Sequence, residues 1–264
     1  MKRLIYNQIL NIIPSKVRLW LSCFFCKISR NLLERSFLTS AEFKDNGEFW
    51  FLKNLPTDCK IVLDCGANRG DWTDALLESN DSLDAVYLID ANPILIDFLK
   101  SKYQNNQKVH IIHRGVDYRS DKISFHIPDI GDPHGTFSSN MLSSSFSNSI
   151  ITSTIDELLE ENNIPKIDFL KLDLEGFDYF ALLGARKSIA QGKIDVIQFE
   201  ITRCWEESGA SPCAAFRFLK NANYQIFWLH RDSLFKIRDI ENITHFSLYS
   251  NFICINKRLG DIWV

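Results

Sequence analysis

Between residues 60 and 200, short apolar runs alternate with amphipathic stretches. Five runs read as strands: IVLDC (61–65), AVYLID (85–90), VHIIH (109–113), IDFLKLD (167–173) and IDVIQFE (194–200). They are nearly continuous apolar runs, as expected of strands covered on both faces. Helical spacing appears between several of them, at 71–79, 94–104, 155–162 and 177–191. Strand and helix in alternation predict an α/β fold: a doubly wound, mostly parallel sheet with helices on both faces and right-handed crossovers. KISFHI (122–127) reads as an extra strand. A helix at 212–222 and strands at 224–229 and 251–257 extend the sheet's edge. The Gly-, Ser-, Asn- and Pro-rich segment 128–149 reads equally as a binding loop and as a surface excursion.

Two regions follow. Residues 1–55 form a helical extension, and 56–264 form the main domain. VRLWLSCFFCKISRNLL (17–33) is apolar enough to pack on something. The favoured reading is a helix that covers the sheet or joins two copies of the chain. The second is a membrane-surface anchor, because Lys2, Arg3, Lys16, Arg18, Lys27 and Arg30 are interleaved with the apolar residues. Asn7, Gln8, Asn11 and Pro14 interrupt the first apolar run, and no stretch reaches the roughly 20 apolar residues of a membrane span. The expected location is the cytoplasm, with contact at the inner membrane as the second reading.

Composition narrows the partners. Thirty basic and 33 acidic residues among 264 give a net charge of −3, a balance that points to neither a nucleic-acid partner nor an anionic membrane surface. Seven cysteines, odd in number and scattered, do not form a disulfide framework and point to a reducing compartment. Cys23 and Cys26 make a CxxC, but Phe24 and Phe25 lie between them, so they read as cysteines of an apolar helix.

The chemistry concentrates where strands end. Asp64 closes the first strand, and Gly66 and Gly70 follow in DCGANRG. Ligands of open parallel sheets bind beyond the carboxyl ends of the strands, where strand order reverses. Asp90 closes the second strand, where an acid can hold ribose hydroxyls. A dinucleotide would call for G-x-G-x-x-G. This loop has G-x-x-x-G preceded by a carboxylate, which suits an ammonium and repels a pyrophosphate. S-adenosylmethionine has ribose, an ammonium and no phosphate, so charge selects it. A second constellation, KLDLEGFD (171–178), places Lys171, Asp173 and Glu175 at the end of the fourth strand. It reads as a site facing cofactor and substrate, against the plainer alternative of mutual ion pairing.

With these motifs placed, the chain resembles the FkbM family of S-adenosylmethionine-dependent methyltransferases. DCGANRGDWT is similar to the family's D-x-G-A-N-x-G motif, and DANP (90–93) stands where the family has E-P-N-P. TIDELL (154–159), IDFLKLDLEGFDYFALLGA (167–185) and IQFEIT (197–202) match in order, with Asp178 in place of a glutamate, and SSSF (143–146) resembles a further element. The resemblance implies a cofactor loop of Asp64, Gly66, Ala67, Asn68, Gly70 and Thr73, with Asp90 on the ribose. It places Asn92 and Pro93 beside the adenosine, and Gly115, Val116 and Asp117 by the adenine. It also implies O-methylation of a sugar hydroxyl in a bacterial surface polysaccharide, or of a glycosylated precursor. A small aglycone or nitrogen acceptor is the nearest alternative, and a nucleotide-binding sugar-modifying enzyme the next. Asp173, Glu175 and Glu200 are the candidate bases, and His134 reads as a solvated loop residue. The same acids could hold magnesium or calcium, but their spacing does not demand a metal, and none is expected. Arg203, Trp205 and Glu206 could line a sugar pocket, with Trp205 stacking on the ring, or simply pack as a loop. An oligomer through the N-terminal region is a further expectation.

Overall fold

The computed structural model describes residues 13–36, 46–55, 58–126, 147–238 and 249–260. After helices α1 (Ser15–Ser36) and α2 (Glu48–Lys53), the chain runs β1 (Ile61–Cys65), α3 (Asp71–Ser79), β2 (Ala85–Asp90), α4 (Pro93–Lys102) and β3 (Val109–His113). Then come β4 (Gly115–Val116), β5 (Lys122–His126), β6 (Ser147–Ser153), α5 (Ile155–Glu161), β7 (Ile167–Leu172), α6 (Asp178–Gly184) and α7 (Arg186–Ala190). The last part is β8 (Ile194–Thr202), α8 (Cys204–Ser208), α9 (Pro212–Asn221), β9 (Tyr224–His230), β10 (Ser233–Lys236), β11 (Tyr249–Asn256) and a 3-10 turn.

The main sheet has the order β10-β9-β11-β8-β7-β1-β2-β3. β3, β2, β1, β7 and β8 are parallel to their neighbours, whereas β11, β9 and β10 pair antiparallel at the other edge. This is the doubly wound sheet that the alternating pattern predicts. The chain leaves β1 toward β2 on one side, and β7 returns on the other. Strand order therefore reverses between β1 and β7, the position where such sheets bind ligands.

The strands are apolar on both faces because both are covered. Val62, Leu63, Val86, Leu88, Phe169 and Leu170 are fully closed to solvent. Local signals fix the helix starts. Thr154 and Glu157 form a reciprocal capping box that starts α5, and Asn92 followed by Pro93 starts α4. The expected helix 177–191 is two helices, because the chain leaves helical geometry at Ala185 between α6 and α7. The extra strand at 122–126 belongs to a separate three-stranded sheet of order β4-β6-β5. β6 is a strand that the polar composition of SNSIITS concealed. Residues 127–146, with His134 and the SSSF element, lie outside the described residues.

By internal contacts the chain divides into Met1–Leu38 and Thr39–Val264. α2 belongs to the second unit, where Phe51 and Leu52 are buried in the core cluster with Val62, Leu76 and Phe169. A boundary at residue 55 would cut this helix from the core it completes. α1 makes up the described part of the first unit, with Cys23 and Cys26 exposed and unbridged.

Candidate active site

Asp64 and Lys171 are register partners on the adjacent strands β1 and β7, one residue from each strand's end. Asp64 is fully closed to solvent. Its Oδ2 accepts a hydrogen bond from Thr73 Oγ1 at 2.7 Å. Its Oδ1 has no hydrogen-bond partner, and Lys171 Nζ stands 3.8 Å away. The ammonium that Asp64 faces thus belongs to the protein. Lys171 Nζ donates to Asp173 Oδ2 at 2.9 Å. Burial alone would lower the Lys171 pKa, but the charges of Asp173, Asp64 and Glu48 outweigh it and hold the lysine protonated.

The glycine loop is built on the chain's own contacts. Gly66 N–H donates to Ile89 O at 2.8 Å, and Gly66 has φ +84°. A Cβ there would lie 2.0 Å from the Asp173 carbonyl oxygen. The residue is glycine because the turn after β7 takes that space, not because a ligand does. Asp173 N–H donates to Cys65 O at 3.0 Å, which ties the two turns together. At Gly70 the Tyr103 hydroxyl approaches instead, donating to Gly70 O at 2.8 Å.

Asp90 closes β2 beside this loop. Its Oδ2 accepts from Asn68 N–H at 3.0 Å and its Oδ1 from Asn92 N–H at 2.8 Å. Each oxygen keeps lone-pair capacity for a hydroxyl. Burial raises its pKa to about 6, against the pull of these N–H groups. Asn92 caps α4 by accepting from Ile94 N–H at 3.0 Å. Ala67 is buried and Asn68 is exposed at the loop tip. Gly115, Val116 and Asp117 run along β4 and its exit, where Asp117 N–H donates to Ser153 O at 3.1 Å. Burial raises the Asp117 pKa.

The third group of acids gathers at the ends of β7 and β8. Burial, then the charge of Asp173, raise Glu175 to about 7 and Asp178 to about 7. Asp178 Oδ1 is buried without a hydrogen-bond partner. Glu200 is pushed well above the ordinary range by burial, then by Asp173, Glu48, Glu175 and Asp178. The three candidate bases thus share one electrostatic neighbourhood. Asp173 is its open member, with 40% side-chain exposure. Among the described residues, no group of three His, Cys, Asp or Glu side chains is arranged to hold a metal ion.

Glu48 is a member of this neighbourhood that the sequence motifs do not reveal. Its buried carboxylate accepts from Asn46 Nδ2 and from Gln198 Nε2. Gln198 is the register partner of Lys171 on β8. Nothing in the Asn-Gly-Glu run at 46–48 marks it as more than a turn before a helix. Trp205 corrects the sugar-stacking expectation: it is 1% exposed and donates from Nε1 to Glu200 O at 2.8 Å. It packs on Phe199 and steadies the end of β8 from within.

A surface cleft of about 410 Å³ opens at the amino ends of β7 and β8, away from these acids. Its buried carboxylate, Asp156, accepts from the N–H groups of Lys187 and Ser188 and from the Ser188 hydroxyl. That is a helix cap with its acceptors in use.

The residues at the reversal fit a methyl-donor nucleoside. Asp64 lies one residue before the end of β1, Asp90 ends β2 with lone-pair capacity left on both oxygens, and the helix α3 begins at the loop's far side. The methyltransferase FkbM domain matches residues 64–226 of this chain. No curated protein matches it. Among solved structures, methyltransferase FkbM from Methylobacillus flagellatus KT is similar at 17% identity and TM-score 0.48, over 75% of this chain and 44% of that one. The chain thus spans less than half of that protein. TrmK from M. capricolum, in complex with S-adenosylhomocysteine, is similar at 14% identity and TM-score 0.44, over 79% of this chain and 67% of that one. Fibrillarin from Aeropyrum pernix, with bound S-adenosylmethionine, is similar at 12% identity and TM-score 0.43, over 78% and 73%. With more than half of its residues inside the matched domain, the chain belongs to the FkbM-domain methyltransferases.

Proposed function

We propose that this protein methylates a hydroxyl of a sugar, in a bacterial surface polysaccharide or a glycosylated precursor of one. The observation that carries the hydroxyl reading is the set of high-pKa carboxylates, Glu175 and Glu200, beside the open Asp173 at the ends of β7 and β8. S-adenosylmethionine supplies a methyl group on a positively charged sulfur. The acceptor oxygen forms a bond to the methyl carbon as the carbon–sulfur bond breaks. The hydroxyl proton passes to a carboxylate, and S-adenosylhomocysteine leaves. Alignment lowers most of this barrier. A carboxylate that titrates near neutrality accepts the proton better than an ordinary one. Asp90 and the Asn68 loop hold the nucleoside end, and Lys171 keeps Asp64 and Asp173 in place.

The choice of a sugar rests on the resemblance to FkbM enzymes and on the polar character of this edge. Arg203, Glu206 and Glu207 are exposed on α8 and its approach, in the segment that follows β8. The test is transfer of labelled methyl from S-adenosylmethionine to a panel of free sugars, nucleotide sugars and amines. Glu175→Gln and Glu200→Gln are run beside the wild type, with S-adenosylhomocysteine affinity measured by calorimetry. The expected result is transfer to a hydroxyl, slowed about 10²–10⁴-fold in one of the two variants with affinity retained. Transfer to amines alone would refute the hydroxyl reading. Unchanged rates in both variants would remove them as bases.

A further inference from the structure

We infer that α1 docks this protein in the plane of an anionic lipid surface. The argument begins with charge. Residues 1–33 contain six bases, Lys2, Arg3, Lys16, Arg18, Lys27 and Arg30, and no Asp or Glu; the first acid, Glu34, comes in the last turn of α1 beside Arg35. The remaining chain has 24 of the 30 bases and all 33 acids. A weakly acidic protein therefore has a segment of +6 at one end and −9 elsewhere. Such asymmetry is the signature of a basic arm seeking an anionic partner.

The helix adds the second component. α1 spans 22 residues. Val17, Leu19, Trp20, Phe24, Phe25, Ile28 and Leu32 are exposed, with 67% for Leu19, 63% for Trp20, 61% for Phe25 and 60% for Leu32. At 100° per residue all of them except Leu19 fall within one arc of the helix surface. Trp20 and Phe24 stack at 5.4 Å within that arc. Lys16 and Lys27 flank it on one side and Arg18 on the other, at the height where headgroups would lie. Aromatic rings at such a boundary are favoured at the membrane–water interface. At about 1.5 Å per residue the helix is long enough to cross a bilayer. Its interleaved charges forbid that: among the described residues no helix is long and apolar enough to cross a membrane. The in-plane orientation buries the aromatics and leaves the bases at the phosphates. A second copy is a poorer cover, because pairing two such helices would bring like charges together.

The experiment is co-sedimentation of the full chain with vesicles, either phosphatidylcholine alone or with about one third phosphatidylglycerol. Wild type is expected to partition at least about tenfold more strongly onto the anionic vesicles, and to be released by high salt. Phe24→Asp with Phe25→Asp should abolish binding, and Lys16→Glu with Lys27→Glu should reduce it about tenfold. S-adenosylhomocysteine affinity and the circular dichroism spectrum serve as folding controls, since the substitutions lie in the unit Met1–Leu38 and the cofactor residues in Thr39–Val264. Equal partition onto both vesicle types, or binding unchanged in either variant, overturns the proposal. So does an oligomer that dissociates in the Phe24/Phe25 variant while wild type ignores vesicles, because a second copy would then cover this face.

Discussion

Lys171 Nζ stands 3.8 Å from Asp64 Oδ1, and the two side chains are 5% and 0% exposed. The pair joins the strands on either side of the order reversal. Its removal from one side leaves Asp64 as a buried charge with one hydrogen bond. Truncating one member of a buried pair typically costs more than the pair contributes as a whole. Lys171→Met should therefore destabilise the protein by about 3 kcal/mol, roughly 6–12 °C in melting temperature. Adding Asp64→Asn to Lys171→Met should restore part of the loss. Thermal melts of the two variants check this, and a double variant no better than the single would show that the pair is not coupled.

Thr73 holds the other oxygen of Asp64 at 2.7 Å, and Thr73 is itself fully buried. Thr73→Val keeps the shape and deletes the donor. A hydrogen bond to a charged group is worth about 1.5–3 kcal/mol. The variant should lose that much stability and bind S-adenosylhomocysteine more weakly, because Asp64 opens the cofactor loop. Thr73→Ser, which returns a hydroxyl, should recover most of both. Denaturant melts and calorimetry on the pair separate loss of the hydroxyl from loss of packing.

Much of this was legible in the sequence because the parallel strands are buried on both faces. Their apolar runs at 61–65, 85–90 and 109–113 have the same bounds as β1, β2 and β3. Asp64, Asp90 and Lys171 stood out because charge at the end of an apolar run is conspicuous. Glu48 did not, because its importance comes from a tertiary contact with Gln198, 150 positions away. β6 did not either, since SNSIITS has no apolar stripe of its own. Trp205 misled for a related reason: an aromatic beside charged residues looks exposed until the end of β8 is seen to close over it. The glycines were legible as necessary, but the sequence does not say whether a ligand or the neighbouring turn fills the space they leave.

Burial raises Asp90 to about 6 and Glu175 and Asp178 to about 7. Unfolded carboxyls titrate near about 4. Below that pH the groups are protonated in both states, and their full contribution to stability is present. Between about pH 4 and 7 the folded state retains protons that the unfolded state has released, so stability falls as pH rises. Each unit is worth about 1.4 kcal/mol, so Asp178 alone accounts for at most about 4 kcal/mol. The ligand-free protein should melt at a higher temperature at pH 5.5 than at pH 8. Asp178→Asn should flatten that slope and raise the melting temperature at pH 8. Calorimetric scans from pH 5 to 8 measure it, and a rising wild-type profile over that range would contradict the burial argument.

Gly66 and Gly209 share left-handed backbones, at φ +84° and +77°, but differ in surroundings. A Cβ at Gly209 meets nothing within 4 Å, whereas one at Gly66 meets the Asp173 carbonyl oxygen at 2.0 Å. Gly209→Ala therefore isolates the cost of the conformation, about 1–2 kcal/mol. Gly66→Ala bears that cost and also drives the β1 turn away from the β7 turn, breaking the Asp173 N–H bond to Cys65 O. We expect Gly209→Ala to fold, with S-adenosylhomocysteine affinity unchanged. Gly66→Ala should lose at least about 3 kcal/mol, and what folds should bind the cofactor product more than tenfold more weakly. Gly66→Ser should fail in the same way, since its Cβ has the same position. Equal stability and affinity for Gly66→Ala and Gly209→Ala would mean that the two turns move apart freely, and that the cofactor loop does not depend on the backbone of Asp173.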